Sequence, residues 1–211
     1  MPEIKNKGKT FIDALNTPFV LILAGFLFTT VAGTIINHFY HEKSWKSKAR
    51  FEIFKEKFQE ARETQENLLS LANQRIFFLR RIYFELSDDR LQSARDLWKE
   101  YFIIVKNWND QVLANQNKLA LLFDNHTAIA FLDDKENHSE EPKSLHHSFR
   151  KAHNAILALI ECMKGTTCSS QESKDLLNEA TLRMDNLGNT HDQFSALLTA
   201  KLREKEDLLL K

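Results

Sequence analysis

Few residues in this chain are equipped for chemistry. Of the eight histidines, His146, His147 and His153 fall close together, and a helix would carry His146 and His153 on one face. Seven positions are two helical turns, roughly 10 Å, too far for both imidazoles to bind one metal ion unless another helix adds ligands. The Glu-x-x-His pairs that serve di-iron sites in helical proteins do not occur in the chain. The only cysteines, Cys162 and Cys168, flank a short turn-forming stretch. They could close a disulfide if their Cα atoms lie within about 7 Å.

The acidic stretch DDKENHSEEPK, residues 133–143, has carboxylates for weak divalent-cation binding but reads as a solvated loop. Asn125 and Asn137 begin N-x-Ser/Thr sequons, which matter only in a eukaryotic secretory setting. Five scattered glycines cannot cradle a phosphate, and no nucleophile elbow, Walker loop or dinucleotide glycine pattern is present. The residues therefore assign no catalytic, metal or cofactor site, and no small-molecule substrate is evident.

The elements that would position these residues are helices. The chain is 43% hydrophobic and 27% charged, with 5 Gly and 3 Pro, and residues 34–141 contain neither of the last two. Such a composition suits an all-α protein. Net charge is zero, and basic and acidic residues nearly cancel beyond residue 40. That gives no excess positive charge for nucleic-acid binding.

Residues 18–36, PFVLILAGFLFTTVAGTII, form an uncharged apolar run. It is long enough to cross a hydrocarbon core of roughly 30 Å and longer than the apolar region of a cleaved signal peptide. The expected organisation is a polar tail over 1–17, a single transmembrane helix over 18–40 and a helical bundle over 41–211. Gly25, Thr29, Gly33 and Asn37 recur every fourth position, an arrangement through which two spans can pack closely and associate. The lysines after the span argue for a cytoplasmic domain, whereas the cysteine pair argues for an oxidising compartment. Because a charged helix presents lysines in any compartment, the domain is placed on the non-cytoplasmic side.

Beyond the span the apolar residues follow a heptad pattern. Leu91, Ala94, Trp98, Tyr101, Val105, Trp108, Val112, Asn115, Leu119, Leu122, His126 and Ile129 alternate steps of three and four. Phe51, Phe54, Phe58, Ala61, Gln65, Leu68, Ala72, Ile76, Leu79, Tyr83 and Leu86 do the same with one slip, at Ala72 to Ile76. Asn115 and His126 would be register-setting polar contacts within that seam.

Helices are expected at about 41–86, 89–132, 144–164 and 170–210, with a capping turn at Ser87, Asp88 and Asp89 and a capping box from Ser169 to Glu172. A break at Asp124, Asn125 and His126 and a bend at Gly188 are also indicated. The fold class is an elongated antiparallel bundle with coiled-coil-like packing, its first helix rising roughly 70 Å at 1.5 Å per residue. Phe77, Phe78, Trp98, Phe102 and Ile103 exceed what one seam can bury and form the expected interaction surface.

The function these features imply is that of a non-catalytic single-pass membrane protein. Its bundle would act as a scaffold, sensor or interaction subunit, with the lipid bilayer, a second copy or other membrane subunits as partners. The alternative is a membrane-active effector that oligomerises through its span.

Overall fold

With no glycine or proline over residues 34–133, most backbone amides there find their partners four residues away, and the result is long helices. The computed structural model describes residues 18–133, 144–165 and 168–209. They are all-helical, with no strand among them. In order the helices are α1 (Pro18–Ser87), α2 (Leu91–Leu122), α3 (Asn125–Phe131), α4 (Leu145–Lys164) and α5 (Ser170–Leu209). The chain divides into two compact units, 1–53 and 54–211, and α1 belongs to both. The tail expected over 1–17 and the acidic loop at 134–143, with Asn137, lie outside the described residues.

In the first unit α1 exposes apolar side chains on all sides, including Ile22, Phe26, Leu27, Phe28, Val31, Ile35 and Ile36. Its threonine hydroxyls turn inward along the helix. Thr29 donates to the Gly25 carbonyl at 2.9 Å, Thr30 to that of Phe26 at 2.7 Å and Thr34 to that of Thr30 at 2.7 Å. Among the described residues no helix is long and apolar enough to cross a membrane. Of the run read as a span, the side chains at 18–21, 23 and 24 lie outside the description.

The second unit surrounds one hydrophobic core to which every helix contributes. Trp108, Tyr101, Phe131 and Phe149 are its largest fully buried side chains, each worth about 1.5–3 kcal/mol of burial. Two helix pairs, α1 with α5 and α2 with α4, run antiparallel. Gln65 and Tyr83 of α1 meet Thr199 and Thr181 of α5 in reverse order, and Trp98 and Trp108 of α2 meet His153 and His146 of α4 likewise.

The joints between helices depart from the expected ones in two places. The turn after α1 is a C-terminal cap rather than an N-cap: Asp89 takes a left-handed φ of 58°, Asp89 N–H bonds Leu86 O, and Arg90 N–H bonds Glu85 O. Arg90, at the N-cap of α2, makes no side-chain capping bond to that helix; its guanidinium reaches back to Asp88 at 2.8 Å and Glu85 at 3.0 Å. The helix expected over 89–132 breaks at the indicated Asp124 and does not continue as one seam: α2 ends at Leu122. Asp124 Oδ1 then accepts from the Thr127 N–H and hydroxyl, both at 2.7 Å, and starts α3 as a separate helix. His126 and Ile129 accordingly leave the α2 seam and are exposed. The Ser169–Glu172 capping box forms with both reciprocal bonds, 2.9 and 3.1 Å. Gly188 does not interrupt α5.

Candidate functional site

The slip in the first heptad pattern marks the most unusual side chain in the protein. Continued strictly from Ala61, Gln65, Leu68 and Ala72, steps of three and four reach Arg75, Leu79, Ile82 and Leu86 rather than Ile76 and Tyr83. Arg75, Leu79 and Ile82 are 2%, 0% and 0% exposed. An arginine therefore occupies a core position on α1.

Its guanidinium lies among rings. The Cζ atom is 4.2 Å from the centroid of Phe149 and 5.0 Å from that of Trp108, with Tyr101 at 6.0 Å. These contacts give cation–π attraction but few acceptors. Nη2 donates to the Tyr101 hydroxyl over a long 3.4 Å, while Nε and Nη1 are buried with no hydrogen-bond partner. Among the described residues no carboxylate pairs with Arg75. Burial pulls its pKa below the usual arginine range and pushes that of Tyr101 up. An arginine nonetheless stays charged in proteins.

Arg75, the most buried of the lining residues, forms the floor of a cavity of about 410 Å3. Val105 and Val112 of α2 supply an apolar wall. Asn109 of α2 and Asn154 of α4 stand exposed at the rim, as does Arg150. His146 and His153, the pair seven apart on α4, complete the lining. Trp108 Nε1 donates to His146 Nδ1 at 3.0 Å, which fixes the neutral tautomer with its proton on Nε2. Burial, then the positive charges of Arg75, His147 and Arg150, lower the His146 pKa to about 4. His153 is likewise held below its usual range by burial and by Arg75. Its ring lies tilted against Trp98, the centroids 4.8 Å apart, and its Nδ1 is buried without a partner. Two neutral imidazoles thus flank one buried cation, and that combination suits an anion.

The residues singled out from the sequence are dispersed. Gly25, Thr29, Gly33 and Asn37 lie on the exposed part of α1 in the first unit, and nothing lies within 4 Å of a Cβ built at either glycine. Phe77, Phe102 and Ile103 are exposed by more than half. Phe78 and Trp98 are half-buried against the core, so the expected five-residue surface reduces to three of its members. The run from Tyr101 to Val105 divides in the same way, with Tyr101 and Val105 buried and Phe102 and Ile103 facing out.

Cys162 and Cys168 are bonded to each other across the α4–α5 turn, with Cα atoms 5.3 Å apart. Among the described residues no group of three or more His, Cys, Asp or Glu could hold a metal ion. Sequence reasoning missed Arg75, Asn109 and Asn154. The signal for Arg75 was the slip itself, a charge where the repeat demanded an apolar residue. No family model, curated protein or solved structure matches the chain.

Proposed function

We propose that this chain is a non-catalytic single-pass membrane protein whose helical domain, an antiparallel bundle with coiled-coil-like packing, serves as a sensor or interaction subunit outside the cytoplasm. The observation that carries the reading is the make-up of α1. One helix contains both an exposed apolar stretch and, further along, the buried Arg75.

Several features support an anchor at 18–40. The described apolar side chains from Ile22 to Ile36 project all round the helix, as suits a lipid environment. Every described threonine hydroxyl there is satisfied by the helix backbone, which removes the cost of burying it in hydrocarbon. Phe39 and Tyr40 end the stretch and Trp45 follows it, and aromatic residues of this kind collect at the lipid–water interface. The Cys162–Cys168 bridge supports an oxidising compartment for the domain.

Extraction of membranes at alkaline pH tests the anchor. The full chain should stay in the membrane pellet, and Leu27→Arg with Val31→Arg should release it to the supernatant. Release of the unaltered chain would overturn the reading.

The second reading, an effector that disturbs the bilayer after its spans assemble, draws support from the open face at Gly25 and Gly33. Gly25→Leu separates the two. As a sensor or scaffold the variant keeps its partner binding, and as an effector it loses vesicle leakage.

A further inference from the structure

A charged group sealed in a protein core without a counter-ion costs several kcal/mol unless something arrives to compensate it. Arg75 is such a group: 2% exposed, surrounded by aromatic rings, with Nε and Nη1 lacking acceptors. Those two nitrogens alone carry three of the five guanidinium N–H donors. The cavity above it has about 410 Å3, within the range that accepts small-molecule ligands. We propose that this cavity is a binding site for a small organic monocarboxylate carrying a second, uncharged polar group, with Arg75 as the residue that receives the carboxylate.

Charge sets the class of ligand. The flanking His146 accepts a hydrogen bond from the Trp108 indole N–H and is neutral. Arg150, the other cation of the lining, is exposed at the rim and already has a partner, so the floor offers one fixed positive charge, that of Arg75, and suits one negative charge. A phosphate dianion asks for more. The cavity lining contains no Asp or Glu, so an ammonium group would find no partner, which disfavours amino acids against hydroxy acids or amide-bearing acids. Asn109 and Asn154 at the rim can both donate to and accept from a hydroxyl or amide. Val105 and Val112 offer room for a short aliphatic part.

The site lies between α1, α2 and α4, so an occupant would bridge three helices. This gives the sensor reading its stimulus and rests on that reading for its biological meaning. Binding itself does not require the membrane anchor, so the two can fail separately.

The test is ligand-dependent thermal unfolding of the full chain in mild detergent, with sodium lactate and sodium acetate as probes. Sodium chloride at equal ionic strength and inorganic phosphate serve as comparisons. Lactate should raise the unfolding midpoint by roughly 3–6 °C at ten times its dissociation constant, saturably and more than acetate. Arg75→Met should abolish the increment. Should that variant fail to fold, the histidine NMR spectrum of the unaltered chain reads the same site, because a carboxylate on Arg75 raises the pH at which His153 titrates. No midpoint shift with either carboxylate, a shift retained in Arg75→Met, or a response to phosphate alone would overturn the proposal, and so would an unmoved His153.

Discussion

Arg75→Met examines the site through stability alone. Methionine keeps much of the buried stem and removes the charge. In the unliganded chain, desolvation of the guanidinium costs several kcal/mol. Against this stand the rings of Phe149 at 4.2 Å and Trp108 at 5.0 Å, together worth about 2 kcal/mol. The long bond to Tyr101, 3.4 Å, adds under about 1 kcal/mol. Leaving the buried Tyr101 hydroxyl without that donor costs the variant about 1 kcal/mol more.

The balance favours methionine by about 1–2 kcal/mol, the direction seen when buried ionic groups give way to apolar ones. In a chain of this size the midpoint should rise by roughly 2–8 °C. The assay is thermal unfolding, with urea unfolding as a check on the m-value, after dialysis into chloride. A loss of more than about 1 kcal/mol would refute the reasoning, since it would mean that the Arg75 charge is already compensated in the folded chain.

Other substitutions probe its surroundings. His146 has its folded pKa depressed to about 4, so the unfolded chain binds more protons between there and the ordinary value near 6.5. Stability should fall by on the order of 2–3 kcal/mol as pH drops through that window, and His146→Gln should flatten this slope in urea titrations at successive pH values. For Asp124, burial opposes ionisation, but the Thr127 N–H and hydroxyl and the Lys201 ammonium prevail and hold its pKa at about 2. Its stabilising contribution is complete above pH 4 and disappears as pH falls toward 2. Asp124→Ala should cost about 1 kcal/mol at neutral pH, mainly through loss of the cap on α3. Phe149→Ala should cost about 3–5 kcal/mol by emptying the core, whereas Phe77→Ser and Phe102→Ser should change stability by under about 1 kcal/mol. If those exposed rings form a contact surface, sedimentation of the double variant will show reduced association with unchanged helicity.

Much of the core on α2 was legible because Ala94, Tyr101, Val105, Trp108, Leu119 and Leu122 repeat at helical spacing and are all buried. The limits of α4 and the start of α5 were legible because Ser144, Gly165 and the Ser169–Glu172 box are local signals. Asp124 was legible as a break but not as the cap of a separate helix, since that depends on where Thr127 turns its N–H. The site was the least legible part. A search for apolar repeats treats a charge as an interruption, so Arg75 appeared as a slip in the pattern when it is a member of it. Asn109 and Asn154 carry no pattern of their own and become informative only once α2 and α4 bring them to one rim. Phe78 and Trp98 were counted as surplus because a single seam cannot bury them, but the core takes contributions from several helices and covers them in part.

The most direct measurement of the central claim uses the cysteine pair as a marker of sidedness. Intact cells expressing the full chain are treated with a membrane-impermeant thiol reagent, before and after exposure to a reductant that acts from outside, and the membrane fraction is analysed. The account predicts no labelling of Cys162 or Cys168 before reduction, labelling of both after it, and recovery of all labelled protein with the membranes. Free labelling only after the cells are opened, without any reductant, would contradict it.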